Sequence, residues 1–258
     1  MRTFCFFCLL TLFACHSSPP PPPPSTPSLD PSPVVDVQTW QDTPWVEIDT
    51  FGRADSIQVR KTYAAVRASI HRQRVQFAQG YRNAASQAAK DSVLQEARKY
   101  LLKAIPGELL PPWYGTPWDF NGHTNHPREG LIACGYFVST PLKHIGWPIN
   151  RYWVAQQAAS VIIDTLCEQR WTFSQPEAAI SHILGRPDDL YLVGLSNHVG
   201  FLLVENGKGF FLHATYVSPS IAFREPVETS PVFHYSDIYV IGTPLDIQGI
   251  LREWVRTG

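Results

Sequence analysis

SNHVGFLLVENGKGFFLHA, residues 196–214, consists of two apolar stretches separated by an Asn-Gly pair. Asn-Gly is the strongest short signal for a two-residue type I′ hairpin turn, because both residues tolerate a positive φ. With Asn206 and Gly207 in the turn, Glu205 pairs with Lys208, and this pairing sets the register of both strands. The stretch therefore predicts an antiparallel β-hairpin.

This register places two histidines on one face of the hairpin. His198 lies opposite Thr215, and Gly200 lies opposite His213. Opposed residues share a face that recurs every second residue, so the histidines are diagonal neighbours, about 7–8 Å apart at the backbone. A longer loop or a one-residue slip would separate them, and each would then be an isolated polar side chain at a strand end. The other face is expected to lie on the core, with Val199, Phe201, Leu203, Phe210, Leu212 and Ala214.

The rest of the chain predicts an α+β fold. Helical spacing of apolar residues indicates helices over 56–80, 83–105, 154–168, 176–184 and 246–256. Stranded patterns follow at 190–194, 198–204, 209–215, 221–225 and 233–242. Helices first and an antiparallel sheet after them are typical of this fold class.

Composition limits the class of protein. The 258 residues carry a formal net charge of −1 and are 44% apolar, which suits one sizeable core with an appendage. A near-neutral chain without a basic tract does not favour nucleic-acid binding.

The amino terminus predicts export. Residues 1–15, MRTFCFFCLLTLFAC, have one positive charge and then an apolar run that is too short to span a bilayer, as in a signal peptide. The run ends in a segment that looks like a bacterial lipobox, with Cys15 as the lipidated residue. A plain secretory signal cleaved nearby is the alternative. Residues 16–35 are rich in proline and predict an extended tether, followed by a helical segment at 36–105 and a main domain at 106–258.

Two of the five cysteines remain after processing, namely Cys134 and Cys167. An oxidising compartment allows a disulfide between them, and two free thiols are the alternative. Cys167 lies within a predicted helix at apolar spacing and is interpreted as a core residue. Cys134 follows a loop and begins an apolar segment that Pro141 is expected to shorten or kink.

Cys134 is the candidate nucleophile, although a buried structural cysteine is the simpler interpretation of this residue alone. A helix that begins at Cys134 would lower the pKa of its thiol. A histidine beside it would complete a thiolate–imidazole pair, with a third group orienting that histidine. His198 and His213 fit these two roles.

Three stretches in this order resemble the NlpC-type cell-wall cysteine peptidases: YGTPWDFNG at 114–122, GLIACGYFV at 130–138, and DDLYLVGLSNHVGFLLVENGKGFFLHA at 188–214. The resemblance covers about residues 109–241, and the His-Val-Gly hairpin is its most specific part. It implies a papain-like α+β domain, with the nucleophile on a helix packed against an antiparallel sheet. A helical segment precedes this domain.

The resemblance implies Cys134 as nucleophile, His198 as general base and His213 as the residue that orients it. The family's oxyanion-stabilising tyrosine aligns with Trp118, whose indole N–H can donate instead, and Tyr114 is a second candidate for the substrate cleft. The family usually has aspartate before and serine after the nucleophile, where this chain has Ala133 and Gly135. These departures suggest a divergent member.

The implied function is an exported, lipid-anchored cysteine peptidase or amidase of the bacterial envelope, at the outer membrane or its periplasmic face. Its substrate would be the stem peptides of peptidoglycan, and the chemistry needs no metal or organic cofactor. His123 and His126 have a ligand-like spacing, but no third ligand is recognisable, so they are interpreted as loop residues. The alternatives are an inactive wall-binding or scaffold module, and an acyltransferase on the same fold.

Overall fold

A computed structural model of the protein describes residues 56–258. The signal peptide, Cys15 and the tether lie outside this range, as do residues 36–55 of the helical segment, so these predictions stay predictions. No helix among the described residues is both long enough and apolar enough to cross a membrane.

Helices surround a single sheet in the described part of the chain, which confirms the general α+β prediction. The helices are α1 (Ser56–Asn83), α2 (Gln87–Ala104), α3 (Cys134–His144), α4 (Arg151–Ala155), α5 (Ala159–Leu166), α6 (Pro176–Leu184), α7 (Pro231–His234) and α8 (Ile250–Arg256). The strands are β1 (Arg170–Phe173), β2 (Asp189–Gly194), β3 (Val199–Glu205), β4 (Lys208–Ala214), β5 (Ala222–Pro226) and β6 (Tyr239–Gly242). A π-helical turn (Ile105–Leu109) and two 3₁₀ turns (Pro111–Trp113 and Val227–Thr229) connect them.

The six strands form one antiparallel sheet in the order β1-β6-β2-β3-β4-β5. The predicted hairpin is therefore central, with β2 on one side of it and β5 on the other. Because β3 is paired on both sides, the histidine at its start is held by the middle of the sheet.

Both faces of the sheet are covered by apolar residues. On one face Val199, Phe201 and Leu203 pack with residues of α1, α2, α3, α5 and α8, as the hairpin pattern predicts. On the other face the alternate residues Leu202 and Val204 pack with α6 and α7. This second layer was not evident from the pattern, and it keeps water from the face that carries the two histidines.

The helical pair α1–α2 contributes to the same apolar cluster as the sheet and α3. Tyr63 of α1 packs edge-on against Trp113, with ring centroids 5.5 Å apart. Arg98 of α2 forms an ion pair with Asp189 at the start of β2. The pair is thus joined to the sheet by apolar packing and by charge.

Three predicted elements differ from the structure, and one strand was not predicted. The helix predicted over 154–168 is two helices, α4 and α5. The Asn150 side chain accepts the backbone N–H groups of Tyr152 and Trp153 and so starts α4 earlier than predicted. The strand predicted over 233–242 begins with α7, since the Ser230 hydroxyl caps a helix whose first residue is Pro231. The short edge strand β1 was not predicted, and α3 continues through Pro141 to His144 instead of ending early.

Candidate active site

The hairpin turn has the predicted geometry. Asn206 and Gly207 both have positive φ, 54° and 72°, which is what a type I′ turn requires. Glu205 pairs with Lys208, and the ladder continues to Phe201 opposite Leu212. The predicted register is confirmed.

The two histidines meet on one face of this hairpin. Nε2 of His198 lies 2.9 Å from Nδ1 of His213, and the two rings are nearly perpendicular. Both side chains are buried, at 2% and 0% exposure. A hydrogen bond between two buried neutral imidazoles fixes the orientation of each ring.

A glutamate and a serine extend this pair. Nε2 of His213 lies 3.0 Å from Oε1 of Glu225 on β5, and the Ser230 hydroxyl donates a short hydrogen bond to the same oxygen. Sequence reasoning missed both residues. The signal available was the alternation in β5, which puts Glu225 directly opposite Phe211 and on the face of His213. The register between β4 and β5 was needed to use that signal.

The second ring nitrogen of His198 is free. Its Nδ1 is buried and has no hydrogen-bond partner among the described residues. The Tyr216 ring lies edge-on to His198 at 5.5 Å, and Phe211 packs on its other side at 5.9 Å. The histidine thus keeps one nitrogen bonded to His213 and one nitrogen available to another group.

Cys134 is the first residue of α3, as predicted, and two observations place its thiol near the start of β3 and near Tyr216. The thiol interacts with the backbone N–H of Val199, the residue after His198. It also adds to the raised pKa of the Tyr216 hydroxyl, for which burial is the main cause. Cys134 is partly exposed as a residue, although its thiol lies among buried groups. No hydrogen bond joins Cys134 to His198 in the described structure, and apo active sites often close such contacts only when substrate binds.

The expected lowering of the thiol pKa is not observed. Burial raises the pKa of the Cys134 thiol, although the backbone N–H groups of Val199, Gly135 and Cys134 itself act in the opposite direction. The start of α3 therefore favours the thiolate, as predicted, but the loss of solvent outweighs it. The resting cysteine is a neutral thiol.

Burial also sets the charge of the polar chain behind Cys134. It lowers the pKa of His198 well below its usual value, with His213 adding to the effect, and it lowers the pKa of His213 to about 3. Burial raises the pKa of Glu225 to about 7. Both imidazoles are therefore neutral at neutral pH, and each carries one ring proton.

The two cleft candidates differ in their surroundings. The indole N–H of Trp118 is buried without a hydrogen-bond partner among the described residues, and its ring lies 6.0 Å from that of Tyr216. Trp118 is also bridged to Ile132, two residues before Cys134. The Tyr114 hydroxyl is likewise buried and has no hydrogen-bond partner among the described residues. Burial raises the pKa of this hydroxyl, and the nearby charge of Arg224 on β5 lowers it. Trp118 is thus the candidate with a contact to the segment that leads into Cys134.

Gly135 has a steric reason to differ from the family pattern. A Cβ at Gly135 would lie 2.3 Å from the carbonyl oxygen of Ala155, the last residue of α4. The serine usual in the resembled family does not fit unless α4 moves. The packing of α4 therefore favours glycine at position 135.

The other predicted residues lie apart from this constellation. Cys134 and Cys167 are both free, and Cys167 lies at the end of α5, where burial raises the pKa of its thiol well above the usual value. His123 is in the loop before α3 and contacts the Asn121 carbonyl through Nδ1. Within residues 56–258, no three His, Cys, Asp or Glu side chains are grouped as they would be around a metal ion.

Comparison with known proteins finds no matching family model, no matching curated protein and no matching solved structure.

Proposed function

We propose that the protein is a cysteine hydrolase of the bacterial envelope that cleaves an amide bond in peptidoglycan stem peptides, as a divergent relative of the NlpC-type peptidases with their papain-like fold. The observation that carries the proposal is the hydrogen bond of 2.9 Å between His198 and His213. It leaves Nδ1 of His198 unbonded beside the residue whose N–H reaches the Cys134 thiol. A nucleophile, a base and a group orienting the base are the parts that such a reaction needs.

The reaction begins from a neutral thiol and a neutral imidazole. As the sulfur attacks the carbonyl carbon of the amide, the thiol proton passes to Nδ1 of His198. The imidazolium then gives this proton to the leaving amine, and a thioester on Cys134 remains. Water hydrolyses the thioester with His198 again acting as base, which releases the carboxylic acid and restores the thiol.

The carbonyl oxygen gains negative charge in both steps. Backbone N–H groups at the start of α3 are the donors suited to hold it, because they point out of a helix terminus. The unpartnered indole N–H of Trp118 is the side-chain candidate for the same task. A buried donor without a partner costs free energy in the resting protein, and an oxyanion would remove that cost.

The proposal is tested by mass spectrometry of purified muropeptides after incubation with the reduced protein. We expect new stem-peptide fragments with the unmodified protein and with Cys167→Ala, and none with Cys134→Ala. The mass of the fragments identifies the bond. Absence of cleavage by a folded, reduced protein, or equal cleavage by Cys134→Ala, would contradict the proposal.

A second candidate, an inactive wall-binding module, is favoured by the raised pKa of the Cys134 thiol. The two candidates are distinguished by the rate at which a thiol reagent modifies Cys134 and Cys167 in the folded protein. A much faster reaction at Cys134 supports the hydrolase, whereas slow and equal reaction of both supports the module. Formation of an acylated lipid instead of peptide fragments would indicate the acyltransferase.

The membrane location is part of the same proposal. Lipidation of Cys15 followed by a proline-rich tether would hold the hydrolase at a membrane surface, within reach of the wall. Intact-mass measurement of the protein from a membrane fraction tests this. We expect a diacylglyceryl adduct that Cys15→Ala lacks, and a soluble, unmodified mature protein would contradict it.

A further inference from the structure

The chain of polar contacts behind His198 ends at a carboxylate and a hydroxyl. It runs from Nδ1 of His198 through the ring to His213, then to Oε1 of Glu225 and to the hydroxyl of Ser230. The histidines and Ser230 are buried, and the Glu225 side chain is 16% exposed. Each contact in such a chain constrains the next, because a neutral imidazole has one N–H donor and one acceptor nitrogen.

Only two directions of donation satisfy the chain. If Glu225 accepts the N–H at Nε2 of His213, then Nδ1 of His213 accepts the N–H at Nε2 of His198. Nδ1 of His198 is then left with a lone pair. If Glu225 donates instead, every bond reverses and Nδ1 of His198 carries a proton. The first arrangement accepts the proton of a thiol, and the second does not.

Ser230 favours the first direction. Its oxygen accepts the backbone N–H of Phe233 at the start of α7, at 3.3 Å, and its hydroxyl lies within hydrogen-bond distance of Oε1 of Glu225. When Glu225 is ionised its carboxylate can only accept, so Oε1 accepts from Ser230 and from Nε2 of His213, which lies 3.0 Å from the same atom. Burial raises the pKa of Glu225, and the hydrogen bond with Ser230 acts against burial and so favours the ionised, accepting form.

We infer that Glu225, held by Ser230, is a positioning residue that fixes the tautomers of His213 and His198 so that Nδ1 of His198 presents its lone pair to Cys134. The consequence for catalysis rests on the proposed function, whereas the tautomers themselves do not. Glu225 would act like the carboxylate that orients a catalytic histidine, except that here the ring of His213 lies between the carboxylate and the base His198.

The surroundings of Glu225 leave His213 as the titratable group that contacts it among the described residues. Arg224 lies on the opposite face, where it pairs with Glu205. In the segment that follows β5, His234 contacts the backbone carbonyl of Glu228. Burial raises the pKa of Glu225 to about 7. Protonation of Glu225 near neutral pH therefore opposes its acceptance of the hydrogen bond from His213, and it is expected to slow the reaction of the Cys134 thiol.

Histidine-selective ¹⁵N NMR of the reduced full-length protein measures the tautomers directly, whether or not any substrate is cleaved. At pH 8 we expect both His198 and His213 to be protonated at Nε2. Glu225→Met removes the acceptor, and we expect mixed tautomers and a fall of about 10²-fold in the rate of Cys134 with a thiol reagent. Glu225→Gln keeps an acceptor oxygen and is expected to retain the tautomers and most of the rate.

The pH profile separates a positioning role from a structural one. The Cys134 rate of the unmodified protein should fall as pH drops through about 7, and Glu225→Gln should lose that step because an amide does not titrate. A proton on Nδ1 of His198 at pH 8, or unchanged tautomers in Glu225→Met, overturns the inference. If Glu225→Met fails to fold, a step near pH 7 that persists in Glu225→Gln overturns it equally.

Discussion

Cys134 and Cys167 are chemically identical and lie at opposite kinds of helix end. Cys134 begins α3, where backbone N–H groups reach its sulfur, whereas Cys167 follows the last residue of α5, with Asp164 and Glu168 nearby. Burial raises the pKa of both thiols, but the neighbouring charges raise that of Cys167 further. The difference lies in the surroundings, since of these two positions only the helix start favours a thiolate, and the Cys134 thiol is reached by the N–H of Val199, the residue after His198.

Removing residues 56–105 should abolish the difference in reactivity between Cys134 and Cys167 altogether. These residues supply buried side chains of the main apolar cluster, among them Tyr63, Leu94 and Leu101, so their loss is expected to unfold the sheet. Both cysteines should then react with a thiol reagent at the rate of an unfolded peptide, as measured by peptide mass spectrometry. A folded remainder whose Cys134 still reacts selectively would show that α1 and α2 only border the cleft.

His198→Ala should reduce the difference in reactivity between the two cysteines by slowing Cys134 alone. It removes the group that accepts the thiol proton, so we expect the Cys134 rate at pH 7.5 to fall by about 10²-fold or more. Cys167 should be unaffected, since it has no contact with this histidine. His182→Ala is a matched control, because His182 is packed between Trp171 and Phe173 away from the site. An unchanged Cys134 rate in His198→Ala contradicts the pairing.

Gly135→Ser should also slow Cys134 relative to Cys167, but less than His198→Ala does. The added side chain meets the Ala155 carbonyl, which must move, and α3 or α4 shifts with it. We expect about 1–3 kcal/mol less free energy of unfolding and a Cys134 rate that falls by about 10-fold, as for small misplacement of a reacting group. Urea unfolding and thiol labelling measure these two effects. A variant as stable and as reactive as the unmodified protein would show that the serine is accommodated.

Acid should destabilise the folded protein. His198, His213 and His144 have pKa values lowered by burial, to about 3 in His213 and about 4 in His144, so on acidification below 6.5 the unfolded chain takes up three protons that the folded chain does not. Glu225 opposes this with one proton that the folded chain holds between 4.5 and about 7. The net of two protons from these four groups lowers the free energy of unfolding by about 2.7 kcal/mol per pH unit between pH 4.5 and 6.5.

Urea unfolding at several pH values from 4.5 to 6.5 measures this slope. In Glu225→Gln the opposing proton is absent, so the slope should steepen to about 4.1 kcal/mol per pH unit. A stability independent of pH in both proteins would show that these histidines are solvated in the folded state.

The β3–β4 hairpin was predictable because its register depends on two adjacent turn residues. The position of Glu225 was not, because β5 is connected through residues 215–221, and a seven-residue connection does not fix a register. Ser230 and Pro231 did carry a helix-start signal, but the apolar pattern of residues 233–242 outweighed it in the interpretation. Without the register of β5 and the helix start at Ser230, the contacts of His213 with Glu225 and of Glu225 with Ser230 could not be predicted.

Burial explains why the predicted lowering of the Cys134 thiol pKa is not observed. The helix start at Cys134 was evident from the sequence, and its effect on the thiol has the predicted sign. The packing of Cys134 against the main apolar cluster depends on the tertiary structure, and the pKa of its thiol depends on that packing as much as on its helix. Local patterns therefore indicated the candidate groups, while their protonation states required the whole fold.

β5 is the outermost strand on its side of the sheet, and this has a consequence for how the reactivity of Cys134 changes on warming. Edge strands open by local fluctuation at a lower free-energy cost than the strands they cover. Glu225 leaves with β5, whereas His198 and His213 stay on the inner strands. The rate of Cys134 with a thiol reagent should therefore depart from its low-temperature trend below the melting of the core and return on cooling, with amide exchange at β5 marking the temperature at which the change starts.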